Sequence, residues 1–320
     1  MPGIDVIGDI HGHSDALVAL LRGMGYRERG GVWGHPERHA VFVGDFIDRG
    51  PSQVRVLEIV RAMCEAGTAD AVMGNHEYNA VCYATPDPEN PGEYLRPHTE
   101  KNYGQHAGFL NEVGAGSATH EEWIDWFRSL PLWLDEYGLR VVHACWHPGQ
   151  QRRLAPWLDA RNRLAPDGFV TSSRKAHAEH EAVEVLLKGL EVALPAGQAF
   201  HDKDGNERRD IRTRWWLNER VSYRRGALID EELARSLPED LIPADGIIGY
   251  SDTRPVFIGY YWLEGEPELL TNQVACTDYS IATGGRLCAY RWDGERELDD
   301  RRFVWVEMPY ERLHSHRSVA

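Results

Sequence analysis

Two rhythms of apolar positions alternate through the first eighty residues. IDVIGD is a short apolar run closed by Gly8 and Asp9, and SDALVALLRGMG follows it with Leu17, Leu20, Leu21 and Met24 at helical spacing. AVFVGD repeats the strand. SQVRVLEIVRAMCEAG repeats the helix, with Leu57, Val60 and Cys64 on one face, and DAVMGN is a third short strand. Strands separated by helices of this length predict βαβ units, a sheet with helices on its faces. In such sheets the loops at the C-terminal ends of the strands hold the chemistry.

Farther along, THEEWIDWFRSLP predicts a helix whose Thr119 and Glu122 have capping-box spacing, with Pro131 beyond its end. LWLDEYGLRVVHA predicts two strands around a turn at Tyr137 and Gly138. Residues 147–250 are rich in Pro, Arg and His. One helix is expected around HEAVEVLLKGL, and HDKDGNERRDIRTRWW shows neither period, so this segment reads as an insertion or cap within a single domain spanning 1–320. RPVFIGYYW, NQVAC, GRLCAYRW and FVWVEM then return to strand patterns.

A chain of 320 residues with 42% hydrophobic and 27% charged positions has the composition of a globular protein with a full core. No apolar run approaches the roughly 18 residues of a membrane helix, and MPGIDVIGDI enters a strand without a basic leader. The five cysteines are scattered and include no C-x-x-C pair. A soluble, cytoplasmic protein without a disulfide framework is the expectation. The net charge of −15 disfavours a broad nucleic-acid footprint, although bound cations can make one cleft of an acidic protein locally positive.

Each of the first three strands ends in polar residues: GDIHG at 8–12, GDFIDRG at 44–50 and GNHE at 74–77. One such ending is ordinary turn chemistry. Three in succession, all with oxygen or nitrogen ligands beside glycine, point to metal. Asp9 and His11 can reach one ion, Asp45 can bridge to a second, Asn75 adds a neutral oxygen, and His143 in VVHACWHP supplies a further imidazole. Two divalent ions about 3.5–4 Å apart can clamp a phosphoryl group and ionise a bridging water. Mixed oxygen and nitrogen ligands suit Mn, Fe or Zn better than Mg.

GDIHG, GDFIDRG, GNHE and VHACW together closely resemble the calcineurin-like metallophosphoesterases, in particular their bacterial branch similar to Ser/Thr protein phosphatases and dinucleoside tetraphosphatases. The likeness is dense over 4–80, recurs at 139–146 and about 253–292, and is thin between. It implies a mixed α/β fold, a two-sheet β-sandwich flanked by helices, with two divalent ions, manganese first and Fe, Zn, Ni or Mg as alternatives. Asp9 and His11 would hold the first ion, Asp45 would bridge, and Asn75 with His143 would hold the second. His76 would protonate the leaving oxygen, Asp48 would orient it, and Arg49 would grip phosphate oxygens.

The resemblance also implies one more ligand, a histidine after a late strand in a Gly-His step ahead of an Asp and a Gly-Gly turn. TDYSIATGGRL at 277–287 matches that landmark, which places Tyr260 where the histidine is due. Tyr250 is a rival alignment, ten residues farther from the landmark. The phenol could coordinate as phenolate, water could complete the shell, or the second site could be impaired; an attenuated but assembled site is the preferred reading. The reaction expected is hydrolysis of a phosphate ester from a phosphoprotein, a nucleotide such as a dinucleoside polyphosphate, or a small metabolite. The alternatives are a catalytically weakened phospholigand-binding protein and, disfavoured by the acidity, a nuclease.

Weaker signals change little. DKDGNE at 202–207 is excluded as a calcium loop because Gly205 falls fourth and Thr213 stands where the closing Glu belongs. Arg212 and Arg214 before Trp215 and Trp216 suggest either a cationic stacking surface or a packed face. Cys145 lacks the arginine of a phosphate loop and is not expected to be a nucleophile.

Overall fold

The computed structural model describes residues 2–201 and 207–307. Positions 202–206 of the rejected calcium loop, and Met308 of FVWVEM, lie outside them. Two sheets pack face to face. In the first, Gly3–Ile7 pairs in parallel with Arg38–Phe42 and antiparallel with Arg286–Trp292, so that Ile7 lies opposite Phe42 on one side and Ala289 on the other. Ala69–Ala71 extends it beyond Arg38–Phe42, while Asp278–Tyr279 and Phe303–Glu307 pair with Arg286–Trp292. The second sheet runs Val274–Cys276, Val256–Ile258, Leu139–Val142 and Trp133–Glu136 in spatial order.

Side chains alternate across a strand, and that period decides the layers. Ile4, Val6 and Val41 point inward to Leu139, Val141, Phe257 and Tyr290, forming the sandwich core. Ile7 and Phe42 point the other way, against Leu17, Leu21, Leu57 and Val60 of the flanking helices Ser14–Met24 and Gln53–Glu65. Each such fully buried aliphatic or aromatic side chain contributes about 1.5–3 kcal/mol. The two-sheet architecture expected above is therefore present.

Two local expectations need correction, and one helix is added. The fifth long helix, Ala118–Arg128, starts before Thr119: Ser117 is extended and its hydroxyl accepts the His120 N–H at 3.1 Å. With that donor satisfied two residues upstream, Thr119 lies inside the helix and forms no capping box with Glu122. DAVMGN is strand only over Ala69–Ala71, and GNHE instead opens the helix Asn75–Ala84. A further helix, Glu100–Val113, has no counterpart in the pattern reading.

Residues 147–250 hold more order than their sequence suggests. Helices Pro148–Leu154, Pro166–Ser173 and Ala178–Lys188 precede two small two-stranded sheets, and Leu194, Ile211, Val221, Tyr223, Leu237 and Ile242 form a separate apolar cluster. Trp215 and Trp216 are buried, with the Trp215 indole donating to the Ala144 carbonyl at 3.2 Å, so they pack and are not a stacking surface. Tyr250 is tied elsewhere: its hydroxyl donates to the Arg254 carbonyl and accepts from Arg140.

Candidate active site

The ends of the strands Gly3–Ile7, Arg38–Phe42, Leu139–Val142 and Val256–Ile258, with the start of the helix Asn75–Ala84, bring the sequence-predicted ligands together. Ligand atoms of Asp9, Asp45 and His143 lie within 4.8 Å of one another, and so do those of His11, Asp45 and His76. Asp45 belongs to both groups. Asn75 joins the first, its Oδ1 3.1 Å from His143 Nε2.

Backbone carbonyls settle which imidazole nitrogen faces the cluster. His11 Nδ1 donates to the Ile47 carbonyl at 3.0 Å and His143 Nδ1 to the Val43 carbonyl at 2.8 Å. Each Nε2 therefore faces the cluster, at 3.7 and 3.4 Å from Asp45 Oδ2, and the Asp45 carboxylate raises the His143 pKa against burial. Burial, helped by the His76 and Arg49 charges and opposed by the Asp45 carboxylate, lowers the His11 pKa to about 4, which keeps the His11 Nε2 lone pair free at neutral pH.

Two of these atoms, Asp9 Oδ1 and His11 Nε2, are fully buried without a hydrogen-bond partner. An orphaned acceptor in that position costs free energy that a cation would restore. Burial and the facing Asp278 and Asp45 carboxylates push the Asp9 acid well above its usual range, the state of a carboxyl cluster in want of positive charge. The donor set of carboxylates, an amide oxygen and neutral imidazoles fits divalent transition ions.

The backbone is held in costly conformations here. His11, Asp45, Asp48, Arg49, Tyr260 and Trp262 all have φ between 46° and 75°, whereas among the other described non-glycine residues only Tyr137, Asn162 and Ser280 do. Such residues concentrate where surrounding structure over-determines the geometry. Two glycines admit the close approaches. A Cβ on Gly259 would stand 2.1 Å from Asp9 Oδ1, and one on Gly74 would stand 2.2 Å from Asp45 Oδ1.

His76 donates its backbone N–H to Asp45 Oδ1 at 3.0 Å, and its Nδ1 bonds Asp48 Oδ2 at 2.6 Å. Burial opposes its protonation, but the Asp45 and Asp48 carboxylates outweigh burial and lift its pKa to about 9. Asp48 itself, despite burial, is held at about 2 by His106 and His76. Arg49 lies over the Trp262 ring with Cζ 5.0 Å from the centroid. The cleft above these groups has a volume of about 840 Å³.

Tyr260 follows Gly259 in a turn that leaves the strand. Its N–H donates to Asp9 Oδ2 at 3.0 Å, and its ring meets His143 edge-on at 5.7 Å with the Arg212 guanidinium 4.9 Å away. Burial pushes the phenol up, Arg212 only partly countering it, which is the direction opposite to a phenolate ligand's need. Cys145 is likewise buried and its thiol is raised well above the usual range, the wrong direction for a nucleophile.

Four residues of this site were given no role from the sequence. Glu77, read only as part of GNHE, accepts the N–H groups of Asp45 and Gly74 on one oxygen and of Phe46 on the other, at 2.9–3.0 Å. Asp278, read only as a landmark, accepts from the Trp262 and Ser280 N–H groups, and burial raises it to about 6. Trp262 and His106 carried no signal. Because Glu77 satisfies three buried donors, Glu77→Gln should destabilise the fold by about 1–3 kcal/mol, as an amide N–H₂ then faces a backbone N–H. A lower urea midpoint at unchanged m-value checks it.

Residues 3–185 match the family described as calcineurin-like phosphoesterase. The chain is 44% identical over 145 residues to the bis(5′-nucleosyl)-tetraphosphatase PrpE (asymmetrical) of Bacillus velezensis, covering 44% of this chain and 55% of that protein. It is 44% identical over 73 residues to the PrpE of Halalkalibacterium halodurans, 22% of this chain and 30% of that one, so these alignments span only a third to about half of the relatives' length. The symmetrical bis(5′-nucleosyl)-tetraphosphatase of Yersinia pestis is 24% identical over 310 residues, 93% of this chain and 92% of that protein. A protein serine/threonine phosphatase structure from Saccharomyces cerevisiae superposes with a TM-score of 0.50 at 14% identity, covering 96% and 79% of the two chains, a likeness of fold alone. With its strand-end motifs gathered around Asp45 and more than half of its length inside the family match, this chain belongs to the calcineurin-like phosphoesterases.

Proposed function

We propose that the protein is a metal-dependent phosphohydrolase. The observation that carries the reading is the pair of ligand groups sharing Asp45, with His76 set beside them on Asp48. Asp9, His11, Asp45, Asn75 and His143 would hold two divalent ions, manganese first. When bound, the ions supply Lewis-acid polarisation of the phosphoryl group and activation of water near neutral pH. Arg49, braced on Trp262, grips the phosphate oxygens with its guanidinium fork. His76 carries a proton on Nε2 to the leaving oxygen while Asp48 holds its Nδ1–H.

Tyr260 occupies the place of the remaining histidine ligand, so the site is assembled but attenuated. Segment 147–250 acts as a cap: Ser173, Lys175, His180, Glu184, Lys188 and Arg212 line one wall of the cleft. Phosphate release from p-nitrophenyl phosphate across a manganese titration tests the whole reading. Turnover that rises with manganese and falls with chelator is the expected result. No release with Mn, Fe, Zn, Ni or Mg would sink it, and phosphate-ligand binding without turnover would favour a regulatory protein instead.

A second observation favours substrates with more than one phosphate, as the relatives' names state for them. The chain has only four lysines, and Lys101, Lys175 and Lys188 all line this cleft. Arg96 lines it as well, fixed by the neutral Asn102 and Gln105 side-chain oxygens at 3.2 and 2.7 Å. Among the described residues, Arg96, Lys101 and Lys175 make no ion pair. A dinucleoside polyphosphate would place extra charge among them, and the same assay run with bis(5′-adenosyl) tetraphosphate and a diester compares the classes.

A further inference from the structure

The carboxylate that orients His76 is itself held from the other side. His106, on the helix Glu100–Val113, places Nδ1 3.1 Å from Asp48 Oδ1 and 3.3 Å from Oδ2. It is 6% exposed, wedged against Phe109 and Tyr83 at ring distances of 5.1 and 5.6 Å. A carboxylate accepts but does not donate, so the Nδ1 facing it carries the hydrogen. Asp48 thus receives one imidazole on each oxygen: His76 on Oδ2 and His106 on Oδ1.

The helix that brings His106 is clamped to the same loop a second time. Six residues on, Glu112 accepts the backbone N–H groups of Gln53 and Val54 at 2.6 and 2.9 Å, at the start of the helix that follows GDFIDRG. The loop carrying Asp45, Asp48 and Arg49 is therefore gripped at its carboxylate and just beyond its end by one rigid element.

Rotation about the Cβ–Cγ bond of an aspartate is soft, with broad minima. Held by His76 alone, the Asp48 carboxylate could swing and carry the imidazole with it. Held by two donors from opposite sides, its plane is set. We propose that His106 is a positioning residue, which through Asp48 aligns His76 so that Nε2 presents its proton to the leaving oxygen. This assignment rests on the phosphohydrolase reading above for what His76 does, but its geometry belongs to a segment outside the family motifs.

The test compares His106→Leu, which removes the donor, with His106→Asn, whose amide nitrogen takes the place of Nδ1. Two monoesters separate alignment from packing. p-Nitrophenolate departs without protonation, whereas the phenolate of phenyl phosphate gains from a general acid. His106→Leu should lower kcat on phenyl phosphate about 10-fold or more, leave p-nitrophenyl phosphate within about twofold, and leave KM unchanged on both; His106→Asn should recover most of the loss. Equal losses on both esters, or no recovery with Asn, would assign His106 to packing and overturn the proposal.

A second readout does not need activity. In imidazole ¹⁵N spectra of zinc-loaded protein taken at a pH above the titration of His76, with its signals identified through His76→Gln, the neutral His76 ring should be a pure Nδ1–H tautomer, and mixed in His106→Leu. If the wild type hydrolyses neither ester, the phosphohydrolase reading falls, and an unchanged His76 spectrum in His106→Leu would then overturn the positioning role on its own.

Discussion

His76→Gln should lower kcat on phenyl phosphate about 10²–10⁴-fold while manganese binding persists. The Nδ1 contact to Asp48 at 2.6 Å fixes the ring, and the neighbouring carboxylates keep it protonated, with a pKa lifted to about 9 despite burial. A histidine raised in this way is the acid form at neutral pH and loses its proton as pH climbs through that value. The wild-type rate on phenyl phosphate should therefore fall along an alkaline limb, and two bound cations shift that limb downward from pH 9. Glutamine retains size and polarity but has no proton to give, so the variant should lack the limb. A pH profile for both proteins checks this; an unaltered limb in His76→Gln would assign the acid elsewhere.

Tyr260→His should lower the manganese concentration needed for half-maximal activity about 10–100-fold, the range by which adjustments around a metal centre change affinity. The position already has the backbone a histidine tolerates: φ is 75°, a left-handed conformation in which histidine is several-fold enriched. The backbone N–H to Asp9 is unaffected by the exchange. The imidazole would enter beside His143, replacing a phenol whose burial keeps it protonated. The variant gives up the contact of the Arg212 guanidinium with the ring, about 0.5–2 kcal/mol. Manganese titration calorimetry and p-nitrophenyl phosphate turnover measure both sides. Lost activity with unchanged metal affinity would show that the tyrosine itself serves the reaction.

Much of the site was legible because its signals are local. GDIHG, GDFIDRG, GNHE and VHACW each combine an apolar strand with a turn and a polar tip, and parallel strands deliver such tips to one edge. Asp9, His11, Asp45, Asn75 and His143 were found that way, across 134 positions of chain. The start of Ala118–Arg128 was misread because two hydroxyl residues compete two positions apart, and only the extended conformation of Ser117 selects between them. His106 carried no signal at all: its partner is 58 residues away, and the buried face of its helix, His106, Phe109, Leu110 and Val113, has only three apolar members, all in the second half.

By itself, the sequence determined which strands alternate with helices, which faces of the first two helices are apolar, and which candidate ligands stand at the strand ends. Those properties follow from periods of two and 3.6 residues and from turn chemistry, all of which act within a few positions. Only the tertiary structure decided that Glu77 satisfies the backbone of the Asp45 loop, that Trp262 carries Arg49, that Trp215 and Trp216 are core, and that His106 pins the carboxylate behind His76. These depend on how elements distant in sequence approach one another, and a buried hydrogen bond is formed by whichever partner the packing brings within about 3 Å.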